Sequence, residues 1–434
     1  MTQDFALKAL GLGYNIFLTG AAGSGKTYVL NKFIASLKSK NIGVAVTAST
    51  GIAATHMNGI TVHSWSGIGI SEKLSEAEIK YIISNGKIRK RIKATKVLII
   101  DEISMLHAHQ LDLVDVICRR ILSKSLPFGG LQIVLCGDFF QLPPVHKKAD
   151  AKVEFVHAAY SWKAANIRVC YLDEQHRQKN DILALILNDL RSGTINIDNK
   201  NLLEARIGFG FAENIKPTRL YSHNFNVDNI NQQEIAKLSG SSRHFEMHSS
   251  GDEYLIKTLI NSCLAPEKLE LKIGAQVMFV KNNFEVGYVN GTTGIVTSFD
   301  EDTLMPNVTT STGRVFAAEP EVWMIGEDDQ VLASVRQVPL RLAWAITIHK
   351  SQGMSLDGAE IDLSRAFEFG MGYVALSRLR SLEGLRLVGL NELALQVDPD
   401  VLVMDLAFRK FSQDFEKTIS NNCPPGKTRQ ASIF

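Results

Sequence analysis

Three observations predict an α/β chain built on parallel sheets. Short, fully apolar runs end repeatedly in glycine or acid, and segments of helical period alternate with them. The alternation breaks for a polar, basic stretch at 67–95 and a turn-rich stretch at 274–336. Strands that read as unbroken apolar runs are buried on both faces, and alternation with helices closes them into a parallel sheet. Ligands of such sheets bind beyond the carboxyl ends of the strands. The residues at those ends therefore carry the functional question.

The first run, "NIFLTG", enters "GAAGSGKT", which is followed by the helical spacing Val29, Leu30, Phe33, Ile34 and Leu37. This is G-x-x-x-x-G-K-[ST] in the strand-to-helix setting the motif requires. Gly20, Ala22, Gly23, Ser24 and Gly25 lay bare backbone N–H groups for phosphate oxygens, and the helix N-terminus adds its positive dipole end. Lys26 reaches the β- and γ-phosphates, and Thr27 ligates Mg²⁺. The alternative is a glycine-rich turn. "GVAVTAST" is the second strand. "KVLIIDE" is the next, and it ends in Asp101, placed to anchor the same Mg²⁺, and Glu102, placed to polarise an attacking water. The adjacent pair favours hydrolysis over kinase chemistry.

"QLDLVDVICRRIL" repeats Leu111, Val114, Ile117 and Ile121 at helical spacing before the strand "LQIVLCGD". In "CGDFFQLPPV", Gln141 can sense a γ-phosphate, and a turn stiffened by Pro143 and Pro144 is the competing reading. Arg177 in "LDEQHRQ" and Arg378 in "YVALSRLRS" are either ordinary surface arginines or cations for charge developing on the γ-phosphate. A second strand–helix unit, "RLYSHNFNVDNINQQEIAKL", precedes β-like pieces punctuated by "NN", "NG" and "DD". Those pieces predict a small β-barrel inserted in a second α/β domain, whose texture resumes at "LRLAWAITIHKSQG".

The expected organisation is a first α/β domain at 1–66 and 96–190, with 67–95 a small basic insertion able to act as a wedge. A second domain covers 191–273 and 337–420, the barrel 274–336, and 421–434 is a disordered tail. With 434 residues, 45% hydrophobic and 21% charged, the chain has ample core, and a net charge of +2 confines polyanion contacts to local patches. The 5 cysteines form no C-x-x-C pair, which disfavours a disulfide scaffold or a zinc site and suits a reducing cytosol. No targeting segment or membrane span is expected.

The motifs stand in a telling order. "GAAGSGKT", "TASTGIAA", "GITVHSWSG", "IIDEISM", "PFGGLQIVLCGDFFQLPPV", "LDEQHRQ", "AWAITIHKSQGMSLD" and "GYVALSRLRS" together resemble superfamily 1 helicases. "FGGLQIVLCGDFFQLPPV" with "TIHKSQG" is similar to the petite-integration-frequency (Pif-type) branch of 5′-to-3′ DNA helicases, in its compact bacterial or phage form. The resemblance runs from about Gln3 to about Leu390. It implies two RecA-like domains, ATP and Mg²⁺ as cofactors, and Gln3 as adenine reader. It implies single-strand contacts at Thr50, Gly51, His63, Ser64, Asn224, Lys281, Asn282, Thr347, His349, Lys350 and Ser351, and nucleotide contacts at Gly353 and Arg378. Short polar side chains and loop N–H groups suit phosphates, whereas His349 taken alone reads as a buried histidine.

The expectation is an ATP-driven DNA translocase and helicase serving replication, repair or recombination, in a family also tied to telomere maintenance. The expected protein is a cytoplasmic, nucleoid-associated monomer, if bacterial. It would act on single-stranded and tailed duplex DNA, with G-quadruplexes and RNA–DNA hybrids as further candidates. The rivals are an ATP-gated nucleic-acid binding switch that never unwinds and a small-molecule phosphotransferase.

Overall fold

The computed structural model describes residues 1–57, 59–69, 73–144, 154–173, 182–210, 217–221, 227–283, 285–310, 312–327 and 330–422. The chain divides into two compact units, Met1–Lys179 with Pro399–Phe434, and Asn180–Asp398.

The first unit is a parallel sheet of β1 (Ile16–Gly20), β2 (Val44–Ala48), β3 (Ile60–Thr61), β4 (Val97–Asp101), β5 (Gln132–Cys136) and β6 (Arg168–Leu172), in the order β3-β2-β4-β5-β1-β6. The unbroken apolar runs are buried on both faces, and Val97, Leu98, Ile99 and Ile100 are each 0% exposed. Around the sheet lie α1 (Gln3–Gly11), α2 (Lys26–Ser39), α3 (Gly51–His56), α4 (Val62–Ser66), α5 (Glu76–Ser84), α6 (Gly86–Ala94) and α7 (Ala108–Leu122). The apolar stripe of α2 sits in one core with Ile16, Leu18, Ile99 and Val134.

The basic stretch folds as the pair α5 and α6. Ser75 starts α5 with a full capping box to Glu78, and the Asn85 side chain caps α6. Ile79, Ile82 and Ile92 turn inward, while Lys87, Arg89, Lys90 and Lys93 are exposed.

Two boundaries between the units differ from expectation. The helix Pro399–Asn422 belongs to the first unit, not the second. Its Phe415 and Ile419 enter the first core, its Phe408 ring meets Phe17 at 5.1 Å, and its Ser412 Oγ accepts from the Tyr171 N–H at 3.0 Å. The helix Ile182–Ser192, placed at the end of the first domain by sequence, falls in the second unit, where Arg191 Nη1 donates to the Tyr373 hydroxyl at 3.1 Å.

The second unit holds a four-stranded parallel sheet in the order Ala345–Thr347, Thr218–Tyr221, Ala359–Leu363, Leu385–Leu390. Inserted in it are antiparallel strands that start at Arg243 and end at Leu342, wider than the predicted 274–336. They form sheets of five, three and two strands. The five-stranded sheet and the pair of Lys268–Leu271 with Arg243–Glu246 share one core, including Leu269, Val277, Phe279, Val296 and Val308. The early strands Arg243–Glu246 and His248–Gly251 read "RHFE" and "HSSG". With His248–Gly251 exposed throughout, they carry no apolar run to signal them.

Candidate active site

Both units carry parallel sheets, and in the first the glycine loop follows the end of β1 while Asp101 and Glu102 stand at the end of β4. β1 hands the chain to the glycine loop. A Cβ on Gly20 would meet the Leu172 carbonyl oxygen at 2.7 Å and Ser24 Oγ at 2.8 Å, and Gly23 and Gly25 hold left-handed φ values of 82° and 86°. Only glycine takes these conformations freely. No side chain caps the start of α2, so its first N–H groups face the loop. Lys26 Nζ donates to the carbonyl oxygens of Gly20 at 2.8 Å and Ala21 at 3.1 Å, folding the loop around its own cation. Gln3 flanks the same loop, with its Nε2 donating to the Ser24 carbonyl oxygen at 3.1 Å. A Cβ on Gly25 would collide with that amide. Gly25→Ala is therefore expected to cost about 1–3 kcal/mol of stability and to weaken ATP binding. A thermal melt with nucleotide titration checks this, and an unchanged melt would remove Gln3 and Gly25 as a packed pair.

Asp101 ends β4. Burial pushes its carboxyl above the usual carboxylate range. A hydrogen bond from the Cys136 thiol, another from the Glu102 N–H and the Lys26 charge oppose that rise. The Glu102 N–H reaches Asp101 Oδ1 at 2.9 Å. Glu102 itself sits at φ 49°, ψ 46°, a left-handed conformation that costs a non-glycine residue about 1–3 kcal/mol. Its carbonyl oxygen accepts from Ser49 Oγ at 2.6 Å. Gly137 gives the turn room, since a Cβ there would lie 3.0 Å from the Ile103 nitrogen.

Gln141 is 7% exposed. Its N–H donates to the Asp138 carbonyl oxygen at 3.0 Å, and among the described residues its Oε1 has no hydrogen-bond partner. Phe139 and Phe140, just before it, are buried, and Phe139 packs against Phe17 at 5.4 Å. The phenylalanine pair thus anchors the loop that carries the glutamine, a role that only the "FF" of "GDFFQ" signals.

The predicted strand-contact residues divide by what their side chains already do. Thr50 Oγ1 accepts from the Ala53 N–H at 3.2 Å, capping α3, which begins at Gly51. His63 and Ser64 lie on α4, started by Thr61, whose Oγ1 accepts from the Ser64 N–H at 3.2 Å. Burial lowers the His63 pKa, against a hydrogen bond with Gln110 that raises it. Arg91 of α6 donates to the Ser64 carbonyl oxygen, a link with no sequence signal.

In the second unit, Thr347 Oγ1 accepts from the Lys350 N–H at 3.2 Å, and Ser351 Oγ donates to the Ile348 carbonyl oxygen at 2.7 Å. Both hydroxyls shape the turn His349–Ser351. Lys350 is exposed, and burial lowers the pKa of half-buried His349. Gly353 follows at φ 74°. Arg378 is 5% exposed. It donates to the Val374 carbonyl oxygen at 2.9 Å, Ser377 Oγ at 2.7 Å and the Ser351 carbonyl oxygen at 3.4 Å, tying its helix to the turn. Lys281 pairs with Glu321 at 3.3 Å and lies over the Trp323 ring, and Asn282 Oδ1 accepts from the Asn290 N–H at 2.8 Å. Arg177 and Asn224 lie outside the described residues.

Comparison with known proteins bears on the assignment. Residues 6–200 match the family described as PIF1-like helicase, and 254–299 match the DNA helicase Pif1 2B domain. The ATP-dependent DNA helicase Pif1 of Psychrobacter sp. (strain PRwf-1) is 43% identical over 479 residues, covering 97% of this chain and 72% of that protein. The chain belongs to the Pif1-like helicases.

Membership makes it an ATP-dependent DNA helicase, as the motif order implied. The Pif1 2B match falls inside the antiparallel insertion and takes in its strands Lys268–Leu271, Gln276–Phe279 and Thr293–Phe299. Among solved structures, unliganded Pif1 from Bacteroides sp. superposes with TM-score 0.78 at 29% identity, covering 94% of this chain and 96% of that one. Pif1 from Bacteroides in complex with ADP-AlF3 and ssDNA superposes with TM-score 0.63 at 29% identity, covering 95% and 97%. Among the described residues no helix is long and apolar enough to cross a membrane.

Proposed function

We propose that this Pif1-like helicase moves 5′-to-3′ along single-stranded DNA and unwinds duplexes that carry a 5′ tail. The observation that carries the catalytic part is the turn at the end of β4, where Glu102 is held left-handed beside half-buried Asp101. Lys26 and the N–H groups of the glycine loop bind the β- and γ-phosphates. Gln3, bonded to that loop, meets the adenine. Thr27 and Asp101 would hold Mg²⁺ together with phosphate oxygens, and the ion would offset charge on the β- and γ-phosphates. Glu102 takes the proton of the attacking water, Gln141 orients that water through its spare Oε1, and Arg177 and Arg378 meet the charge developing on the γ-phosphate.

Single-stranded DNA is the proposed track, bound at Thr50, Gly51, His63, Ser64, Asn224, Lys281, Asn282, Thr347, His349, Lys350 and Ser351. The Bacteroides relative bound to ssDNA supports this choice. Because the hydroxyls of Thr347 and Ser351 and the Ser351 N–H serve their own turn, that turn's contribution to DNA is carried by the charge of Lys350. The Lys281 ammonium reaches phosphate only by sharing itself with Glu321. Processing of G-quadruplexes and RNA–DNA hybrids remains a proposal of the same reading.

The test is single-turnover unwinding of fluorescent duplexes with a 5′ tail, a 3′ tail or blunt ends. Only the 5′-tailed substrate is expected to separate. His349→Ala with Lys350→Ala is expected to uncouple ATP turnover from unwinding while hydrolysis persists. Efficient unwinding from a 3′ tail alone would overturn the assigned direction.

A further inference from the structure

Ser49 directly follows β2. It is 8% exposed, and both its polar groups reach the catalytic turn. Its N–H donates to the Asp101 carbonyl oxygen at 3.1 Å, and its Oγ donates to the Glu102 carbonyl oxygen at 2.6 Å. Directly after it come Thr50 and Gly51, where α3 starts, with the Ala54 N–H donating to the Thr50 carbonyl oxygen at 3.0 Å. One residue therefore joins the proposed strand-contact loop to the backbone of the proposed water-activating carboxylate.

The link bears on a conformation that needs holding. Glu102 is left-handed without being glycine, and such a residue relaxes unless its surroundings fix it. Asp101 Oδ1 fixes its N–H and Ser49 Oγ fixes its carbonyl oxygen. A shift of the Thr50–Gly51 loop alters the second of these bonds directly. The bond is thus a contiguous physical link between the two proposed sites, of the kind through which energetic coupling travels.

We propose that Ser49 is a positioning residue that transmits occupancy of the Thr50–Gly51 loop by single-stranded DNA to Glu102, and so sets how strongly DNA stimulates ATP hydrolysis. This rests on the proposed strand contact at Thr50 and Gly51. Ser49 touches neither nucleotide nor DNA; it acts through the Glu102 backbone.

The test compares the full-length parent with Ser49→Ala, Ser49→Thr and Ser49→Cys. ATP turnover is measured with and without an oligothymidylate, whose affinity is read by fluorescence anisotropy. In Ser49→Ala the ratio of stimulated to unstimulated turnover is expected to fall by about 10- to 10²-fold, with the KM for ATP and the oligonucleotide affinity near those of the parent. Ser49→Thr keeps a hydroxyl and is expected to restore the ratio. Ser49→Cys is close in volume but a weak donor, and it is expected to behave like Ser49→Ala. A poorly folded alanine variant would therefore leave the cysteine variant to decide. An unchanged ratio in both hydroxyl-free variants would overturn the proposal. So would equal falls in both rates, the mark of a purely structural bond. Failure of the underlying strand contact looks different, because Thr50→Ala would then leave oligonucleotide affinity unaltered.

Discussion

Glu102→Gln is expected to lower ATP turnover by about 10²–10⁴-fold while nucleotide stays bound. The amide matches the carboxylate in shape, and the backbone bonds to Ser49 and Asp101 involve no Glu102 side-chain atom. The left-handed turn therefore persists, and only the proton acceptor is lost. Lys26→Ala is expected to fail differently. It removes the cation that contacts the Gly20 and Ala21 carbonyl oxygens and, with it, the proposed point charge for the β- and γ-phosphates. Affinity and turnover should fall together. Equilibrium titration with a fluorescent ATP analogue, set beside phosphate-release rates, separates the two variants. Equal affinity losses in both would refute the division of labour.

Arg378→Ala is expected to lower turnover by about 10³-fold or more if the guanidinium meets the γ-phosphate. The same side chain is also structural. Its three hydrogen bonds satisfy two carbonyl oxygens and the Ser377 hydroxyl in a buried setting, and losing them costs about 1–3 kcal/mol. Arg378→Lys separates the two roles, because lysine keeps a cation but not the planar fork that spans those acceptors. A lysine variant with recovered turnover and a still-lowered melting temperature supports a role in charge stabilisation. Turnover that follows the melting temperature in both variants returns Arg378 to the scaffold.

Much of the fold and the site was legible in the sequence because the signals were backbone requirements and unbroken apolar runs. Gly20, Gly23 and Gly25 announce bare backbone, and "VLIID" can only be a doubly buried strand. The left-handed turn at Glu102 is silent, because its conformation is imposed by Ser49 and Gly137, distant in sequence. The edge strand His248–Gly251 is silent because it buries nothing. Thr347 and Ser351 were legible as a polar loop, but whether a hydroxyl faces a ligand or its own turn depends on geometry that residue type does not encode. The helix Pro399–Asn422 reads as an ordinary amphipathic segment, and nothing local says which core receives it.

That helix has a consequence for biosynthesis. Phe415 and Ile419 sit in the same core as Ile16, Leu18 and Cys136. A ribosome adds roughly 5–20 residues per second, so Asn180–Asp398 take on the order of tens of seconds to emerge. Throughout that interval the nascent ATPase sheet lacks its last covering layer, and Phe17 lacks its Phe408 neighbour. The exposed apolar face is a natural client for a chaperone, and a stop codon placed just before Pro399 would leave the vacancy permanent. Expressed that way, the protein would accumulate as aggregate although every motif residue for nucleotide binding had been translated.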